Sequence, residues 1–108
     1  MSTKRLEALL QQCQEDTAKI CGQGAANRLG NWRWYIGNQP ELVAFIRRCL
    51  RGDNRKNGWQ LHTNEGLSLE SIVLDHCPEL FNESDLFEAR RTLGIYDWVS
   101  RKCPHRFT

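Results

Sequence analysis

The sequence predicts a mainly α, single small domain of four to six short helices, with room for a two-stranded β-ribbon. Three observations predict it. The chain has 108 residues, 40% of them apolar and 26% charged, which is globular rather than disordered composition and enough for one modest core. Several stretches repeat apolar residues at helical spacing between cap and stop residues. The longest apolar run, Leu42-Val43-Ala44-Phe45-Ile46, is far short of the roughly 20 residues a membrane helix needs, so no membrane is expected as a partner.

The first helix is expected over residues 3–21. Leu6, Leu9, Leu10, Cys13, Thr17, Ile20 and Cys21 share one face, Ser2 or Thr3 stands at the start, and Gly22 follows the end, where a left-handed turn suits glycine. The stripe packs most simply on the rest of the domain. Its other use is the seam of a homodimer through Leu6, Leu9, Leu10 and Cys13, although under three heptads is little support for a coiled coil. Residues 24–29 suit a short helix. Trp32, Trp34 and Ile36 then alternate with Arg33 and Tyr35, which is strand spacing over 31–36.

Residues 39–51 read as the central helix. Pro40 and Glu41 fit its first turn, Leu42, Val43, Phe45, Ile46, Cys49 and Leu50 form a broad apolar face, and Arg47, Arg48 and Arg51 occupy the last turns, where cations oppose the helix dipole. Residues 52–58 have almost nothing to bury and are expected as an exposed, mobile loop. Trp59-Gln60-Leu61-His62-Thr63 alternates, so 59–63 is expected to pair with 31–36 as the ribbon. Ser68 caps a helix over 69–77 that Pro78 stops. Ser84 or Asp85 caps another over 85–93, with Gly94 at its end, and 96–102 forms a last short helix. The whole of 1–108 is one domain, with 103–108 expected as a flexible tail.

Charge is segregated along the chain. Net charge is only +2, but residues 27–63 carry seven cations against Glu41 and Asp53, while 64–97 carry eight carboxylates against Arg90 and Arg91. Arginine outnumbers lysine eleven to four, and a planar guanidinium fork suits carboxylate and phosphate. The first residues, Met1-Ser2-Thr3-Lys4-Arg5, show neither the apolar stretch nor the small-residue cleavage site of a secretory signal. The five cysteines, Cys13, Cys21, Cys49, Cys77 and Cys103, are odd in number, which suits buried thiols in a reducing, cytoplasmic setting.

Catalysis and metal binding rank low. His76-Cys77 and Cys103-x-His105 are the nearest approach to a zinc set, but neighbours on a helix diverge by about 100° and chelate poorly. Cys49 lies among arginines that favour a thiolate, yet on an apolar face that opposes it. No phosphate loop, nucleophile elbow or paired-carboxylate motif occurs. Neither an enzyme activity nor a cofactor is therefore expected. Binding ranks first. Arg33, Arg47, Arg48, Arg51, Arg55 and Lys56, with Trp34 and Trp59 as aromatic anchors, are the expected contacts to an acidic protein or nucleoprotein surface. The alternative is direct DNA or RNA binding by the same residues, cations on phosphates and rings on bases. A helix-turn-helix made from the last two helices is disfavoured, because Asp85 and Glu88 would face the phosphates. The docking expectation requires that the arginines at the end of the 39–51 helix be free of the chain's own carboxylates.

Overall fold

Leu6, Leu10, Cys13 and Thr17 recur at helical spacing, and they form the buried stripe of α1 (Lys4–Ile20). The computed structural model describes residues 3–52 and 55–102, with backbone alone at 55 and at 95–102. Residues 53 and 54 of the expected loop and the expected tail at 103–108 lie outside the described residues. Gly22, at φ +104, ends α1 in the way only glycine does without strain, and its N–H donates back to Thr17 O at 3.0 Å. The chain then turns directly into α2 (Gln23–Leu29), which packs against α1.

The expected extended segment at 31–36 is instead a 3-10 helix, Gly30–Tyr35. Its three residues per turn put Leu29, Trp32 and Tyr35 on one inner line. Leu29 and Trp32 are buried and Tyr35 packs against the core, its ring centroid 6.3 Å from that of Phe45. Trp34 and Ile36 fall on the other side, in solvent. Gln14 of α1 locks this arrangement. Its amide donates to Ala26 O at 3.0 Å and accepts from Trp32 Nε1 at 3.1 Å.

α3 (Gln39–Arg51) starts where Asn38 accepts from Glu41 N, and it buries Leu42, Phe45, Ile46 and Leu50. The second half of the expected ribbon is also helical. Residues 59–63 belong to α4 (Arg55–Thr63), which takes in most of the expected loop, and no strand occurs among the described residues. Gly58, Trp59 and Leu61 are buried, and in a helix they share one broad inward arc, so the polar–apolar alternation is met without a strand. A Cβ on Gly58 would run into the Glu70 carboxylate; glycine lets α4 approach that buried side chain.

Ser68 caps α5 (Leu69–Ser71) by accepting from Ser71 N at 3.0 Å. The helix loosens into a π turn over Ile72–His76, where Cys77 N reaches Ile72 O at 2.9 Å, and Pro78 opens a short 3-10 turn. Ile72 and Val73 are fully buried. The two helices expected at 85–93 and 96–102 are one, α6 (Glu83–Lys102). Gly94 does not stop it; it sits exposed in mid-helix.

These elements share one core, with Leu10, Leu42, Ile46, Leu50, Ile72 and Val73 at its centre. This corrects the homodimer seam. Leu6, Leu10 and Cys13 are buried inside the chain's own core, and Leu9 packs partly buried against it. Apolar area already removed from water here cannot also drive pairing.

Candidate functional site

The last two turns of α3 lie beside the start of α6, and a single carboxylate joins them. Asn82 and Asp85 cap α6 reciprocally: Asp85 N donates to Asn82 Oδ1 at 2.9 Å and Asn82 N donates to Asp85 Oδ2 at 3.2 Å. This fixes the Asp85 side chain, which is 1% exposed. Its Oδ1 accepts from Arg47 Nε at 3.0 Å and from Arg51 Nη1 at 2.8 Å. Arg51 Nη2 also donates to Ser84 Oγ at 2.9 Å. Burial alone would raise the Asp85 pKa. The hydrogen bonds from Arg47 and Arg51, then from Asn82 N–H, outweigh it and hold the carboxyl below its ordinary range.

The required freedom of the arginine knob is not met by two of its three arginines: Arg47 and Arg51 are tied to the chain's own Asp85, so docking has only Arg48 and the unbalanced charge of the trio to rest on. The Arg47 and Arg51 side chains remain 46% and 36% exposed, and one carboxylate serves two guanidinium groups. Arg48 is exposed one helical step further out. Ala44, Arg47, Arg48 and Arg51 line an open cleft of about 270 Å³. The three arginines and Asp85 leave a local charge of about +2, poised on a surface rather than buried, where it attracts anions.

The other expected contacts do not converge there. Arg33 lies beyond the opposite end of α3, hydrogen-bonded to Gln11 Oε1 at 2.8 Å and set 5.3 Å from the Trp32 ring centroid. Trp34 is 84% exposed, but the rise of α3 separates its two ends by about 18 Å. Trp59 is buried, so it is a core residue and not a docking anchor. Lys56 is exposed on α4 and does not line the cleft, and the Arg55 side chain lies outside the described residues. Interleaving of Trp and Arg in the sequence thus does not become interleaving in space.

Sequence reasoning missed what α6 contributes. Phe87, which falls within the helix expected at 85–93, is 59% exposed. Ser84, Phe87, Glu88 and Arg91 follow at spacings of three and four, one stripe of a helix, and Ser84 joins this stripe to Arg51. The overlooked signal was Asp85 followed by Ala89 and Thr92, the buried positions of α6, which turn Phe87 outward.

Thiol chemistry is disfavoured by burial. It pushes Cys13 up to about 12 and raises Cys77 and Cys21 as well. No group of three or more His, Cys, Asp or Glu side chains is placed to hold a metal ion among the described residues; Cys103 and His105 lie outside them. No helix among the described residues is long and apolar enough to cross a membrane. Comparison of the chain with protein-family models, curated proteins and solved structures finds no match. An open, cationic cleft with pre-oriented forks can hold carboxylates or phosphates by charge-assisted hydrogen bonds.

Proposed function

We propose that this protein is a small non-enzymatic accessory or regulatory protein, an inhibitor or adaptor, that docks the α3–α6 surface onto an acidic protein or nucleoprotein surface. The observation that carries the reading is the balance of charge at the cleft: three guanidinium groups open to solvent over one buried carboxylate. Asp85 holds Arg47 and Arg51 in place before any partner arrives, which lowers the ordering cost of binding. Arg48, exposed beside them, supplies the reach. Direct binding of DNA or RNA is the second reading, favoured by the same cations and by the exposed Trp34 ring. It is weaker because that ring stands at the far end of α3 from the cleft.

Arg48 is the clean reporter, since replacing Arg47 or Arg51 also strips Asp85 of its partners. Poly-glutamate and short single- and double-stranded DNA and RNA are titrated against the protein at two salt concentrations. The expected result is salt-sensitive binding of poly-glutamate that falls several-fold in Arg48→Ala, with an unchanged thermal midpoint. Tighter binding of nucleic acid that also depends on Arg48 moves the function to the second reading. Binding indifferent to salt and to Arg48→Glu overturns both.

A further inference from the structure

Phe87 is 59% exposed on α6, one helical step beyond Ser84, the residue of that helix's outer stripe that Arg51 reaches. Ser84 and Phe87 are about 5–6 Å apart between Cβ atoms at that helical spacing. A large apolar side chain this exposed contributes nothing to the core it stands beside. Its neighbours along the stripe are Glu88 and Arg91, whose charged groups approach each other at 3.9 Å, so Phe87 stands between that pair and Ser84, where Arg51 arrives.

We infer that the partner is an acidic polypeptide segment carrying an apolar side chain, whose carboxylates meet Arg47, Arg48 and Arg51 while the apolar group covers Phe87. This rests on the docking function proposed above and adds the chemistry of what docks. The charge fixes the sign of the partner: with a local excess of cations, only an acidic segment gains along the whole cleft. The ring fixes the second requirement. A purely acidic chain laid across α3 would leave carboxylates against the Phe87 face, whose π electrons repel anions. An apolar group there removes ring surface from water at the centre of a polar rim, the arrangement in which a few residues dominate binding. A polypeptide is favoured over nucleic acid because, among the described residues, Phe87 is the one exposed ring beside the arginines and offers no succession of stacking platforms. Trp34, the other ring exposed to this degree among the described residues, is remote from the cleft.

The test is selection of a random displayed peptide library on the immobilised full chain, followed by titration of the enriched peptides. Enriched sequences are expected to combine several Asp or Glu with a Leu, Phe or Trp at a constant offset. Their affinity is expected to fall roughly tenfold in Phe87→Ala and in Arg48→Ala, and to stay unchanged in Trp34→Ala. Phe87 is exposed, so the Ala variant folds, and an unchanged thermal midpoint checks this. Acidic peptides that lack an apolar residue, or that bind Phe87→Ala as well as wild type, overturn the inference and leave the docking function standing. Enrichment of peptides without acidic residues overturns the docking function itself. Single-stranded DNA bound more tightly than any enriched peptide, and lost in Phe87→Ala, replaces the polypeptide partner by nucleic acid.

Discussion

Asp85 is the residue on which the site turns, and its neighbours allow two kinds of change to be separated. Removing its carboxylate charge in Asp85→Asn weakens two hydrogen bonds from arginine at once, and the loss is expected to be about 2 kcal/mol, discounted for the exposure of both guanidinium groups. The sign of the pH dependence follows from the lowered pKa. The folded value lies below the ordinary 3.8, so the stabilisation is complete above that value and is lost as pH falls through the folded one. Urea midpoints of wild type and Asp85→Asn should therefore differ most at neutral pH and converge as acidification protonates the folded Asp85 carboxyl. Glu7 is lowered too, by Thr3 Oγ1–H and then Gly37 N–H, and acts in the same window. It is present in both proteins, and a gap that persists at low pH would mean that Asp85 acts through packing alone. Thr92 offers the opposite case. Its buried hydroxyl has no hydrogen-bond partner among the described residues, so Thr92→Val, of nearly equal shape, is expected to raise stability by about 1 kcal/mol in urea denaturation.

Two glycines within helices separate backbone cost from packing need at the scale of an element. Gly94 lies in α6 with nothing within 4 Å of a would-be Cβ, and it carries only the entropic penalty of glycine in a helix. Gly94→Ala is expected to stabilise by about 0.5–1 kcal/mol. Gly58 lies in α4, where the same substitution meets the Glu70 carboxylate, its Cδ at 2.7 Å. Gly58→Ala is expected to destabilise by about 1–3 kcal/mol, because that carboxylate is buried and has little room to give. Equal effects in thermal melts would contradict the packing of α4 on α5. The same elements show what was legible in the sequence. α1, α2 and α3 were readable, since their apolar spacing is local and matches the buried positions. The 3-10 helix was not, because Trp32 and Trp34 look equivalent until Leu29, Trp32 and Tyr35 are seen as every third residue. α4 was misread because a buried carboxylate far along the chain sets the role of Gly58. Gly94 looked like a stop because glycine after an apolar run is the usual C-cap signal, whereas here the backbone runs through it as helix.

For the molecule as a whole, the cationic end of α3 was legible in sequence and its true setting was not. A run such as Arg47, Arg48 and Arg51 announces charge, but Asp85 lies 34 or more residues away, and no local pattern pairs them. The aromatic half was misplaced for the same reason: exposure of Phe87 and burial of Trp59 are decided by tertiary packing. The α1 stripe raises that question most sharply, since an amphipathic helix looks the same whether it covers its own core or a second copy. The structure assigns the stripe to the core, and adjacent leucines test it. Leu10 is fully buried, whereas Leu9 is only partly so. Leu10→Glu places a charge in the apolar centre and should remove most of the stability of a domain this size, giving an unfolded chain by circular dichroism. Leu9→Glu can turn its carboxylate to water and should cost only about 1 kcal/mol, with a folded spectrum. In a dimer held by this stripe, both substitutions would instead yield a folded chain of halved mass in sedimentation. A folded Leu10→Glu monomer derived from a wild-type dimer would therefore transfer the stripe from the core to an interface.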